Sequence, residues 1–105
     1  MKKLLILIPI FLIAFVACKK TSSDKTAPII TLTGSAEVYS QKDSTYVDAG
    51  ATASDDIDGD ISSSIVVSNP VNIHTESTYW ITYNVSDKAG NQAAEVKRKV
   101  IVMIF

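Results

Sequence analysis

Eight residues near the C-terminal end, Tyr79 to Ser86, alternate between two kinds of side chain. Tyr79, Ile81, Tyr83 and Val85 fall on one face of an extended chain, and Trp80, Thr82, Asn84 and Ser86 on the other. A strand points successive side chains to opposite sides, so this period of two describes a strand with one dry face and one wet face. A partner follows the turn at Gly90-Asn91. Ala94, Val96, Val100 and Val102 share a face, with Arg98 interrupting the row, and the two runs predict a hairpin.

From Pro28 onward the apolar residues recur in short runs broken by turn chemistry, at Gly34-Ser35, Lys42-Asp43-Ser44, Asp58-Gly59-Asp60, Asn69-Pro70 and Asp87 to Asn91. The further runs are Ile29 to Thr33, Val38 with Tyr39, Tyr46 to Ala53, Ile65 to Ser68 and Val71 to Ile73. Together they predict an all-β, immunoglobulin-like antiparallel β-sandwich of about seven strands. Ser77-Thr78-Tyr79-Trp80-Ile81 sharpens this, because a tyrosine corner places Tyr two residues before an inward position, here Ile81. The cysteine pair of antibody domains is missing, since Cys18 is the one cysteine in the chain.

The other end of the chain has a different character. Lys2 and Lys3 precede an uncharged apolar run from Leu4 to Val16, interrupted by Pro9, which has the length of a secretory h-region. As a helix the run reaches roughly 20 Å, short of the ~30 Å hydrocarbon core, so export and cleavage fit better than a permanent span. The ending Phe15-Val16-Ala17-Cys18 resembles a bacterial lipoprotein signal, although Phe15 stands where that pattern most often has Leu. The resemblance implies a helical signal peptide over 1–17, lipid attachment at Cys18 and membrane anchoring. A polar tether over 18–27 then leads to a domain over 28–105. Lys19 directly after Cys18 differs from the Asp of an inner-membrane retention signal, so the expected location is the cell envelope, at the outer membrane.

Charge removes one partner class. Between Pro28 and Phe105 five bases face ten acids, a net charge of −5. Such a domain repels phosphate, and its one basic cluster is Lys97-Arg98-Lys99, so no nucleic acid partner is expected.

Several short motifs recur together across the domain: Ala27-Pro28-Ile29-Ile30-Thr31-Leu32, Tyr46-Val47-Asp48-Ala49-Gly50-Ala51, Asp58-Gly59-Asp60-Ile61, Thr78-Tyr79 with Ile81-Thr82-Tyr83, Asp87 with Gly90-Asn91, and Arg98 with Val100 and Val102. In this order they resemble the Ig-like domain family of bacterial surface proteins, catalogued mainly as a domain of unknown function and frequent in lipoproteins of Bacteroidota. Ser77 departs from the Gly usual before the Thr-Tyr pair. The resemblance implies the sandwich fold and a structural or adhesive module rather than a catalyst.

The stretch SDDIDGDIS, Ser54 to Ser62, crowds Asp55, Asp56, Asp58 and Asp60 around Gly59. It is expected to join a strand ending near Ala53 to one beginning near Ser63, as the B–C connection of the sandwich. That puts it at the same end as the Asp87–Asn91 loop and the tether residue Asp24. Calcium takes six to eight oxygens, and Asp24, Asp55, Asp58, Asp60 and Asp87 are candidate ligands. The spacing is not that of an EF-hand. The competing reading is a plain turn, since Asp bonds to nearby amides and Gly accepts positive φ.

Trp80, on the wet face, is a candidate contact for a glycan or protein partner, against a purely local packing role. His74 reads as a loop residue without a nucleophile or second histidine beside it. Arg98 is expected to reach a carboxylate from a strand edge. No Gly-x-Ser-x-Gly, HExxH or Gly-rich phosphate loop occurs, so an enzyme is not expected.

Overall fold

The computed structural model describes residues 24–105, so the signal segment and Cys18 lie outside the described residues. Seven strands form two sheets: β1 (Ile29–Leu32), β2 (Glu37–Gln41), β3 (Ala51–Asp55), β4 (Gly59–Asp60), β5 (Val66–Ser68), β6 (Ser77–Asn84) and β7 (Val96–Met103). The smaller sheet has the order β1-β3-β4 and the larger one β2-β7-β6-β5. All pairings are antiparallel except β2 with β7, which run parallel. The described chain is all-β, as the alternation and the turn spacing require.

The core is the set of inward positions of the two sheets. Ile30 and Ala53 come from the smaller sheet and meet Ile81, Tyr83, Val100 and Val102 from the larger one, with Val85 just past the end of β6. Each fully buried Ile or Val contributes about 1.5–3 kcal/mol of apolar transfer energy, so the β6–β7 pair anchors the fold. The Tyr79 hydroxyl donates to the Thr75 carbonyl oxygen at 2.9 Å, the hydrogen bond of a tyrosine corner.

Four expectations need correction. Strand structure begins only at Ala51, because Tyr46 to Gly50 serves the polar core cluster described below. Val71 to Ile73 is not a strand; it runs into a turn in which Asn69 and Asn72 side chains cap local amides. Ser54 to Ser62 does not cross between the sheets: Asp55 pairs with Gly59 and Ser54 with Asp60, making a tight hairpin within the smaller sheet. The crossing follows it, through a 3-10 turn at Ser62–Ser64. Finally, Ala93 is the buried residue of its pair and Ala94 is exposed, because the chain leaves regular pairing between Gln92 and Val96.

Candidate functional site

The hairpin between β3 and β4 is built by one carboxylate. Asp55 Oδ2 accepts from the amides of Ile57 (3.1 Å) and Asp58 (3.0 Å), an Asx turn that closes the loop. Gly59 then returns the chain to the strand at φ +76°, a left-handed conformation that favours glycine. The tip carries Ile57 into solvent.

That geometry leaves Asp55 in an unusual position. The residue is 7% exposed, and its second oxygen, Oδ1, is buried without a hydrogen-bond partner. Asp24, Asp55 and Asp58 each offer a carboxylate oxygen within 4.8 Å of the other two. Burying a carboxylate oxygen unpaired is costly, and a cation or an ordered water would relieve it.

The neighbouring turn supports the cluster. Asp58 Oδ2 accepts from the Lys88 amide at 2.7 Å, which ties the hairpin to the Asp87–Asn91 turn. Asn91 organises both sides. Its backbone N–H and side-chain amide donate to Asp87 at 2.8 and 2.9 Å, and the same side-chain amide reaches the Asp24 carbonyl oxygen at 2.9 Å. Burial works against the Asp87 charge, but these donors hold its carboxyl below the usual range. Asp24 is pushed the other way, first by desolvation and then by the charges of Asp87, Asp55 and Asp56, with the Thr26 amide opposing.

Of the five candidate ligands, Asp24, Asp55 and Asp58 converge, and Asp87 adjoins them. Asp60 does not: its Oδ1 accepts from the Ser62 amide (2.9 Å) and hydroxyl (2.6 Å), an Asx turn that leads into the 3-10 turn. Asn91 was the residue that sequence reasoning passed over; only its Asp-x-x-Gly-Asn spacing from Asp87 hinted at the role.

A second polar cluster lies inside the sandwich. Arg98 is 1% exposed and faces inward from β7, so it is a core residue and not the edge residue expected from the sequence. All five of its N–H donors have acceptors: the Ser35 carbonyl through Nε at 2.8 Å, Asp48 and the Tyr83 hydroxyl through Nη1 at 2.6 and 2.9 Å, and the Thr33 and Gly50 carbonyls through Nη2. Asp48 also accepts from the Tyr46 hydroxyl at 2.7 Å and from Tyr83. Burial opposes the Asp48 charge, yet the Tyr83 and Tyr46 hydroxyls and the guanidinium lower its pKa to about 2. Burial and then Asp48 push the Tyr46 hydroxyl up to about 12. With every guanidinium donor matched and Asp48 only 13% exposed, this cluster fastens the strands together.

On the outer face of the larger sheet Trp80 is 49% exposed. It lies opposite Lys99 and diagonal to Lys97 in the β6–β7 register. Both ammonium groups approach its ring, at 5.9 and 6.0 Å from the centroid. His74 is an exposed loop residue whose Nδ1 lies 2.8 Å from Asp43.

Solved structures share the fold. A lipoprotein from Bacteroides thetaiotaomicron matches with a TM-score of 0.64 and 21% identity, over 73% of this chain and 38% of that one. Two structures of ZmpB from Clostridium perfringens also match. The structure described as CBM51-2 in complex with GlcNAc and INT domains gives a TM-score of 0.58 and 28% identity, over 74% of this chain and 17% of that one. The other, described as the M60 catalytic domain with two CBM51 domains, gives 0.57 and 25%, over 74% and 8%. The chain thus spans well under half the length of each. No curated protein matches it. The model of the family described as bacterial surface protein, Ig-like domain, fits residues 30–102, a stretch running from the first core strand to the last, and this chain belongs to that family.

Proposed function

We propose that this is a cell-envelope module whose Ig-like domain, residues 28–105, binds calcium at the pole where the tether enters. Lipid on Cys18 anchors it, and residues 18–27 form the tether. The observation that carries the reading is the buried, unpartnered Oδ1 of Asp55 beside Asp24 and Asp58. Calcium suits an all-oxygen set of this kind, in which Asp24, Asp55 and Asp58 are ligands, Asp87 completes the charge and water fills the remaining positions. Because Asp24 belongs to the segment preceding β1, a cation shared with the hairpin fastens that segment to the domain and fixes how the module stands relative to its anchor. The module acts as a spacer or adhesive element without catalysis.

Thermal melting of the full chain in detergent, with millimolar calcium and then with chelator, tests this. A higher midpoint with calcium supports the site, and an identical midpoint overturns it.

A second reading concerns the outer face. Trp80, half-exposed and framed by Lys97 and Lys99, is a surface for a saccharide. A ZmpB structure similar to this chain over 17% of its own length is described as a complex with GlcNAc, which makes a saccharide the first ligand to test. A glycan array on wild type and Trp80→Ala tests it, and equal profiles overturn it.

A further inference from the structure

We infer that the Trp80 face selects saccharides that carry carboxylates, such as chains containing uronic acids. The inference rests on the second reading above and adds the ligand's charge.

Charge is the first support. In a domain of net −5, Lys97 and Lys99 stand two residues apart on β7 with both ammonium groups on the outer face. Arg98 between them points inward, where Asp48 neutralises it. Elsewhere the partly buried Lys42 is paired with Asp43 at 3.1 Å. Among the described residues Lys97 and Lys99 have no carboxylate partner within ion-pairing distance. Glu37 lies opposite Lys99 in the β2–β7 register, but its carboxylate accepts from the Tyr39 hydroxyl at 3.1 Å. Two cations are therefore held against one aromatic ring, while Glu37 and Glu95, which accepts from Asn84 Nδ2 at 3.0 Å, are hydrogen-bonded to other groups. Contact with the ring keeps them in place and leaves outward-facing N–H donors for an anion.

The shape of the surface supports a sugar over a peptide. β6 pairs with β7 from Ser77 to Tyr83 but with β5 only from Thr82 to Asn84, so around Trp80 the backbone of β6 is paired on one side. An extended peptide adding to that edge would lie in the plane of the sheet and leave uncovered the indole, which stands perpendicular to that plane. What the face offers is a flat indole flanked by the Thr78 and Thr82 side chains of the same strand face. An apolar ring face with hydroxyls and cations at its border matches a pyranose, whose C–H face is apolar and whose rim is polar. The acidic pole does not oppose this. Asp87 lies seven residues beyond Trp80, about 20 Å of extended chain, while charges in physiological salt are screened within about 8 Å.

Trp80 is the chain's single tryptophan, so its fluorescence reads this face directly. The full chain in detergent is titrated with oligogalacturonate, with neutral maltohexaose and with poly-glutamate at matched carboxylate concentration. A saturable change in emission is expected with oligogalacturonate and not with the other two. In Lys97→Gln/Lys99→Gln, binding is expected to weaken roughly fivefold or more at an unchanged melting midpoint. Binding of maltohexaose without oligogalacturonate overturns the charge assignment while leaving a saccharide surface. A response to neither removes both. An equal response to poly-glutamate overturns the choice of sugar, and undiminished binding by the double variant overturns the role of the lysines.

Discussion

Arg98 Nη1 lies 2.6 Å from Asp48 Oδ1 inside the sandwich, and the pair joins the last strand to the segment before β3. Removing one partner leaves a buried charge uncompensated, which costs about 3–5 kcal/mol. Arg98→Met and Asp48→Asn are each expected to lose that much stability in urea denaturation. The double variant Arg98→Met/Asp48→Leu should recover part of the loss, since it leaves neither charge stranded.

The same carboxylate sets the response to acid. Its pKa falls from 3.8 to about 2 in the folded domain, so its contribution is complete above pH 4 and disappears as pH falls through about 2. Nearly two units correspond to roughly 2 kcal/mol. Stability measured between pH 4 and pH 2 should drop by about that amount in wild type and far less in Asp48→Asn.

At the tether pole, Asp55→Asn and Asp60→Asn separate ligand from bystander. Calcium at a hundred times its Kd stabilises by about 2.7 kcal/mol, a rise of roughly 10 °C or more for a domain of this size. Asp55→Asn is expected to abolish the rise while melting no lower than wild type in chelator, because one crowded charge is gone. Asp60→Asn should keep the calcium response, with any change in midpoint the same in both conditions.

Gly59→Ala tests the hairpin alone. A Cβ at this position meets nothing within 4 Å, so the cost is backbone strain at φ +76°. A loss of about 1–2 kcal/mol is expected in urea denaturation.

The larger sheet was readable in the sequence because its faces differ chemically. Ile81, Tyr83 and Val85 are buried and Trp80 is not, as a period of two demands. Tyr46 to Gly50 misled for a physical reason: an apolar run looks like a strand whether its backbone pairs with a neighbour or its side chains serve a polar core. Arg98 misled likewise, since a charged residue in a strand signals exposure unless its partners are known, and Asp48 lies fifty positions away. The crowding of the aspartates was legible from composition. Which of them converge was not, because Asp60 is drawn off by Ser62 and Asp24 is held by Asn91, sixty-seven residues on.

The parallel pairing of β2 with β7 bears on mechanical load. Its ladder runs from Lys99 N to Ala36 O (2.8 Å) at one end to Lys42 N to Met103 O (2.9 Å) at the other. A pull applied between the segment preceding β2 and the end of β7 slides these strands lengthwise, stretching the whole row of bonds together instead of peeling them one by one. The guanidinium grip on the Thr33 and Ser35 carbonyls resists the same displacement. Held at its N-terminal side and loaded at the end of β7, the module would meet tension along this row of bonds.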